Sequence, residues 1–148
     1  MQCSQRYSYR GAWYNFRPDA MVLYQQCTKE QHRRWLVWLE WDQGTMGIDQ
    51  LRKKIASYAQ YIHSRQWRRH GRASGEPVLA IVVPDRGQAD RMLALAQELL
   101  AGMDVQVSVT LRSLLTEQGF LAPIWFQAVP VPPQKTHLHP LFHVREPR

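Results

Sequence analysis

The sequence has few cysteines, few acidic residues and no long apolar run. Its two cysteines, Cys3 and Cys27, form no CxxC pattern, which argues against a zinc site and against a disulfide framework. Neither a signal peptide nor an apolar stretch of membrane-spanning length is evident, so we expect a cytoplasmic protein without membrane contact. At 148 residues, the chain is long enough for one core and too short for two ordinary domains.

The shortage of acidic residues leaves the protein strongly basic. Asp and Glu number 12 against 19 Lys and Arg, which gives a formal net charge of +7 and a pI near 9.8. We therefore expect a polyanionic partner, and nucleic acid is the first candidate. The residues expected to contact DNA are Arg33, Arg34, Lys53, Arg65, Arg68, Arg69 and Arg72. Trp67 inside the last cluster suits base stacking, although a solvated helix end has the same composition.

The most apolar run in the chain, residues 35–42, reads WLVWLEWD and ends in two carboxylates. Its length, its aromatic content and its polar flanks predict a β-strand that is buried on both faces. Residues two apart in a strand share a face, so Glu40 and Asp42 are predicted to point the same way.

A second candidate strand, residues 19–27, precedes this run, and a polar loop of hairpin length lies between them. If the pairing is symmetric about that loop, Asp19 lies opposite Glu40 and Arg17 lies opposite Asp42. Three carboxylates then converge at one end of the sheet, and their mutual repulsion predicts a divalent-metal site. In the alternative interpretation, Asp19 is only a turn residue at strand entry and the other two carboxylates pair with arginines. A one-residue slip would also move Asp19 to the other face.

The remaining sequence predicts a mixed α/β domain. A helix is predicted over residues 47–67, with Lys54 at the flank of its apolar stripe. That stripe consists of Ile48, Leu51, Ile55, Tyr58 and Ile62. Further strands are predicted at 77–83, 105–110 and 124–126, and further helices at 86–101 and 111–117. This order indicates a mixed central sheet with a β-hairpin and flanking helices.

The two ends of the chain show little pattern. Residues 1–10 are polar and are predicted to be a frayed terminus or the remnant of a longer parent protein, whereas residues 12–16 predict a short strand. From residue 129 onward the composition shifts to Pro, His and basic residues, so we predict one domain over 1–128 and a tail over 129–148. No carboxylate or cysteine set accompanies the tail histidines, which favours a solvated tail over a transition-metal site. These histidines are His137, His139 and His143.

The order of these elements resembles the PD-(D/E)XK nuclease superfamily, which has a restriction-endonuclease-like core. Pro18-Asp19 looks like the first motif of that superfamily, and Glu40-Trp41-Asp42 stands where the second is expected. The sequence departs from the pattern because Asp42 occupies the lysine position. Lys54 fits the position on the following helix to which some members have moved this lysine.

The sequence is also similar to the nuclease-like domain of the replication-relaxation family of mobile-element proteins. This resemblance covers roughly residues 13–100 and rests on RPDA, LEWDQGT and LRKKIASY in that order. The two resemblances together imply that Asp19, Glu40 and Asp42 hold Mg²⁺ or Mn²⁺. They also imply that Lys54 acts with these carboxylates in catalysis and that Tyr58 lines the cleft.

We therefore expect a metal-dependent DNA endonuclease of a mobile-element or defence system. The alternative is a catalytically inactive DNA-binding or assembly subunit in plasmid replication or mobilisation, to which a partner protein supplies targeting. Arg65, Arg68, Arg69 and Arg72 lie at the C-terminal end of the predicted helix and in the loop after it, on the order of 30 Å from the helix start. We therefore expect them to clamp phosphates away from the acidic cluster.

Overall fold

The computed structural model describes residues 4–27, 29, 32–69, 75–127 and 141. The strands in these residues are β1 (Gln5–Tyr9), β2 (Ala12–Phe16), β3 (Ala20–Cys27), β4 (His32–Trp41), β5 (Val78–Val83), β6 (Gln106–Leu111) and β7 (Phe126–Gln127). The helices are α1 (Ile48–Ser64), α2 (Arg86–Leu100) and α3 (Arg112–Gln118), and a 3₁₀ turn at Gln66–Arg69 follows α1. Strands β3 to β7 build a five-stranded mixed sheet, and β1 and β2 form a separate two-stranded sheet. The predicted mixed α/β architecture is thus confirmed.

The hairpin β1–β2 corrects the prediction of a frayed terminus over residues 1–10, because β1 pairs antiparallel with β2 along its whole length. Arg10 and Gly11 form the turn with φ values of 49° and 80°. Two successive positive φ values belong to a type I′ turn, which matches the twist of the flanking strands. Tyr7 fixes the hairpin to α1, since its ring packs edge-on against Tyr61 with the centroids 4.9 Å apart.

The five-stranded sheet has the order β3-β4-β5-β6-β7. Strands β4, β5 and β6 run parallel, while β3 and β7 are antiparallel to their neighbours at the two edges. The predicted register of β3 and β4 is confirmed, with Ala20 opposite Leu39 and Cys27 opposite His32. This register carries Asp19, the residue before β3, to the level of Glu40.

Two apolar clusters cover the two faces of this sheet. Helices α1 and α2 pack on the face that carries Leu36 and Trp38. Helix α3 and the segment after it cover the opposite face, around Val37. The predicted burial of β4 on both faces is confirmed at its centre, whereas Trp41 at its end is 39% exposed.

Helix α1 buries most of the predicted stripe, with Tyr61 as an additional core residue. Ile48 is an exception to the prediction, because it is the first residue of the helix and is 50% exposed. The helix also ends earlier than predicted. Arg65 adopts the left-handed conformation with φ of 55°, its N–H bonds to the Ile62 carbonyl, and the 3₁₀ turn continues from there.

Most of the predicted tail lies outside the described residues, as do Arg72 and the three tail histidines. Leu141 is described and is fully buried beside Val37 and Trp125 in the second cluster. Its carbonyl accepts a hydrogen bond of 2.7 Å from Gln106 Nε2. The packed core therefore includes a residue from beyond the predicted domain boundary at 128. No helix in the described part of the chain is long and apolar enough to span a membrane.

Candidate active site and nucleic-acid interface

Glu40 is a buried carboxylate at the end of β4, with 3% of its surface exposed. It alternates with Leu36 and Trp38, so it lies on the sheet face that α1 covers. Helix α1 presents Lys54 and Tyr58 to it, since residues four apart lie on the same side of a helix. Lys54 Nζ forms an ion pair with Glu40 Oε2, and the Tyr58 hydroxyl donates a hydrogen bond to Oε1. Both carboxylate oxygens thus have a partner within the protein.

The electrostatics of this group are dominated by loss of solvent. Burial raises the pKa of Glu40 to about 7, against the lowering effect of Lys54 and Tyr58, and the charge of Asp19 raises it further. The pKa of Tyr58 is raised well above its ordinary value, first by burial and then by the charge of Glu40. Near neutral pH, Glu40 therefore exchanges between its protonated and ionised forms while Tyr58 remains a hydrogen-bond donor.

Asp42 is also buried, but its partners differ from those of Glu40. Its N–H donates to the Val82 carbonyl at 2.9 Å, which extends the pairing of β4 with β5. Its Oδ1 accepts from the Gly44 N–H at 3.0 Å, and its Oδ2 accepts from Gln88 Nε2 at 2.8 Å. In the described part of the chain, neither Asp42 nor Glu40 pairs with an arginine, contrary to the alternative interpretation of the sequence.

Asp19 lies at the surface, one residue before β3. Its Oδ2 accepts a hydrogen bond of 2.7 Å from the Trp41 N–H, so its side chain ties the start of β3 to the end of β4. The register of β3 on β4 carries Asp19 to the level of Glu40, and the charge of Asp19 contributes to the raised pKa of Glu40. Asp19 thus combines the predicted position near Glu40 with a structural role at strand entry.

The predicted metal site depends on carboxylate oxygens that converge and are free to bind an ion. Glu40, Asp42, Lys54 and Tyr58 line one small pocket of about 10 Å³, room for about one water, and its other walls are apolar. A hard divalent ion needs several oxygen ligands around it. No group of three or more His, Cys, Asp or Glu residues is placed to hold a metal among the residues that the structure describes. As arranged, the side chains do not fit an ion, which would reach Glu40 only by displacing Lys54 or Tyr58.

A second candidate site lies at the far end of α1, which we call the basic end of α1: His63, Arg65, Arg68 and Arg69. A surface pocket of about 240 Å³ is lined by His63, Arg65 and Arg68, with Asp104 as an acidic residue in its wall. None of the ion pairs among the described residues involves them, so their charges face solvent and no carboxylate in that part of the chain lies within 4 Å. Trp67 is buried in the core and cannot stack on bases, and Arg68 lies over its ring at 5.4 Å.

The other described residues predicted to contact nucleic acid lie on β4 and on α1. Arg33 and Arg34 are half-buried at the start of β4, and Arg34 lies six residue steps along the strand, about 20 Å, from Glu40. Lys53 is exposed on α1 next to Lys54. The structure groups Arg65, Arg68 and Arg69 at the C-terminal end of α1, and it places Arg33 and Arg34 at the end of β4 that is farther from Glu40.

Residues 3–75 match the replication-relaxation family. This replication-relaxation segment covers just under half of the chain and contains every described residue of the predicted sites. No curated protein and no solved structure matches the chain.

We call Glu40, Asp42 and the residues that contact them the acidic site. Two of its residues were not found from the sequence. Gln88 lies outside the replication-relaxation segment and reaches Asp42 from the first turn of α2, 46 positions along the chain. Gly44 belongs to the QGT segment, but its role as a donor to Asp42 depends on a positive φ of 76°. A glycine two residues after a buried carboxylate was the one local signal for such a turn.

Proposed function

We propose that this protein binds DNA through the basic end of α1 and acts in plasmid replication or mobilisation. The observation that carries the proposal is the pocket at this end, where Arg65 and Arg68 face solvent without a carboxylate partner in the described residues. Exposed cations of this kind gain affinity for DNA by releasing counterions from its phosphates. The replication-relaxation match supports the role in plasmid replication or mobilisation.

The acidic site supports a binding module better than a catalyst. Each of its carboxylates is engaged by a group of the protein itself: Glu40 by Lys54 and Tyr58, Asp42 by Gln88 and the Gly44 N–H. Lys54 supplies the positive charge that the sequence predicted a metal ion to supply. In this proposal, the site joins α1 to the sheet and so holds the basic end of α1 in place.

The salt dependence of DNA binding tests this proposal. We expect Arg68→Ala/Arg69→Ala to weaken binding to a labelled 20-base-pair duplex and to reduce the log–log salt slope by roughly 1 to 2. Arg86→Ala/Arg91→Ala is the control, since it removes the same formal charge from exposed positions on α2, where Arg86 pairs with Asp90. Equal slopes in both double variants would place the interface elsewhere, and a wild-type protein that binds no DNA would end the proposal. The competing explanation is that these arginines only complement the C-terminal end of the α1 dipole, which predicts an unchanged slope.

A second candidate function is metal-dependent DNA cleavage on a PD-(D/E)XK-like core. The observation in its favour is the β3–β4 register, which sets Asp19 beside Glu40 at the end of the sheet. It requires Lys54, whose side chain is 29% exposed, to leave Glu40 when an ion arrives.

A cleavage assay separates this candidate from the first. Single-stranded and duplex DNA are incubated with magnesium or manganese, comparing the wild type with Asp19→Ala, Glu40→Ala and Lys54→Ala. Loss of cleavage in all three folded variants would support the nuclease, and activity unchanged in all three would reject this assignment. Absence of cleavage, combined with no heat of manganese binding in calorimetry, would leave DNA binding as the function.

A further inference from the structure

The β1–β2 hairpin has one face that packs on the core and one that faces solvent. Tyr7 and Phe16 point inward and are almost fully buried. Side chains alternate along both strands, so the outer face carries Arg6, Ser8, Trp13 and Asn15, in the pairs Arg6–Asn15 and Ser8–Trp13. We call these four residues the outer face of the hairpin.

Trp13 is the most exposed large apolar side chain among the described residues, with 65% of its surface accessible. Its ring contributes little to the core. The Arg6 guanidinium lies over the ring with its carbon 4.8 Å from the centroid. A cation over an exposed indole both orients the ring and places a positive charge beside it.

The charge of the hairpin is of one sign. Residues 4–18 contain Arg6, Arg10 and Arg17 and have neither Asp nor Glu. The hairpin also adjoins the basic end of α1, because Gln66 Nε2 donates a hydrogen bond of 2.9 Å to the Ser8 carbonyl. The exposed ring therefore lies beside Arg6, on a hairpin that carries positive charge only and that contacts α1 near its basic end.

We propose that the outer face of the hairpin is a stacking platform for unpaired bases of single-stranded DNA. This inference rests on the proposed DNA-binding function and assigns that function a substrate class. Proteins that bind single strands without sequence preference combine two features: aromatic rings that stack on the bases and cations that contact the phosphate backbone. A base inside a duplex is already stacked on its neighbours, so Trp13 favours an unpaired strand. An exposed tryptophan also suits a protein partner, but a hairpin whose charged residues are Arg6 and Arg10, with no acid, complements phosphates better.

Fluorescence anisotropy with a labelled (dT)20 oligonucleotide tests the platform on the full chain. We expect Trp13→Ala to weaken binding by about 5- to 150-fold, the range of one lost base stack. The log–log salt slope should stay unchanged, because no charge is removed. Trp13→Phe should restore most of the affinity, since it keeps an aromatic face. Trp41→Ala is the matched control, because Trp41 is a second exposed tryptophan with an arginine, Arg112, over its ring.

The outcomes distinguish this inference from the proposed function. If the wild type binds (dT)20 and Trp13→Ala binds it as tightly as Trp41→Ala does, the platform is rejected while DNA binding stands. Binding of duplex but not of (dT)20 also rejects the platform alone. A wild type that binds neither DNA overturns both, and capture of a protein instead would identify the hairpin as a protein interface. Thermal unfolding of each variant shows that losses do not come from misfolding, and restored binding in Trp13→Phe supports stacking directly.

Discussion

Lys54 of α1 forms an ion pair with Glu40 of β4, and Tyr58, one turn along the helix, donates a hydrogen bond to the same carboxylate. Glu40 lies on the sheet, and Lys54 and Tyr58 lie on the helix. The ion pair and the hydrogen bond therefore form only when α1 is packed in its observed position on β4. Lys54 remains partly exposed while Glu40 is buried. The cost of desolvating Glu40 therefore exceeds what its partners return, which is why its pKa rises instead of falling.

The first prediction concerns the pH dependence of folding stability. The pKa of Glu40 in the fold, about 7, is above its ordinary value of 4.5, so the folded state holds a proton that the unfolded state releases between these values. The free energy of unfolding should fall as the pH rises from about 5 to 8, by on the order of 3 kcal/mol from this group. Glu40→Gln should remove that component, measured as the difference between urea unfolding curves of the two proteins from pH 5 to 8.

Glu98→Gln is a suitable control for this measurement. Glu98 is exposed, and its hydrogen bond from Arg52 lowers its pKa. A carboxylate whose pKa is lowered in the folded state stabilises the fold at pH values above its unfolded pKa. This stability is lost only when the pH falls through the pKa of the folded state. This control should therefore leave the slope between pH 5 and 8 as in the wild type. A wild-type slope in Glu40→Gln would show that burial does not raise the pKa of Glu40.

The second prediction concerns the coupling of Lys54 to Glu40. Lys54→Met removes the group that most strongly lowers the pKa of Glu40, so that pKa should rise further and the protein should lose stability as the pH increases. We expect a cost of about 1–3 kcal/mol at pH 8, below that of a fully buried pair because Lys54 is partly exposed, and a smaller cost at pH 6. In a Glu40→Gln background, the same substitution should cost little, and a double-mutant cycle at pH 8 measures the coupling. Additive costs would indicate that the ion pair contributes nothing.

The sequence predicted those parts of this site that depend on residues close together in the chain. The register of β3 on β4 was predictable because a short symmetric loop and alternating side chains determine it locally. Lys54 was predicted to flank the apolar stripe of α1, and that position brings it to Glu40. The ion pair of Lys54 with Glu40 was not predicted. It depends on the rotation of α1 about its axis, and that rotation is determined by how the helix packs on β4.

Other features depended on signals that the sequence carries weakly or not at all. The link from Gln88 to Asp42 joins elements far apart in the chain, and no periodicity records it. The N-terminal hairpin was missed because Arg10 occupies a positive-φ turn position that is typical of Asn, Asp or Gly. The early end of α1 was missed for the same reason, since Arg65 adopts a conformation that glycine usually supplies.

The third prediction concerns the hydrogen bond between Gln88 and Asp42. Gln88→Leu leaves the buried Oδ2 of Asp42 without its donor, and we expect a loss of about 1–3 kcal/mol in the free energy of unfolding. Asp42→Asn should cost less, because its carbonyl can still accept from the Gly44 N–H while Gln88 turns its own carbonyl toward the new amide. Chemical denaturation of both variants gives the comparison. A larger cost for Asp42→Asn would mean that the charge of Asp42, not the hydrogen bond, stabilises this corner.

The fourth prediction separates backbone strain from steric contact at Gly44. Gly44 and Gly102 have similar positive φ values, 76° and 73°, so alanine should strain both backbones by about 1–2 kcal/mol. At Gly44 an added Cβ would lie 2.9 Å from Cγ of Pro84, whereas at Gly102 no atom lies within 4 Å. Because the proline ring cannot rotate away as a flexible side chain would, Gly44→Ala should cost about 1–3 kcal/mol more than Gly102→Ala. Urea denaturation of the two variants measures this difference directly. Equal costs would mean that Pro84 moves aside without penalty.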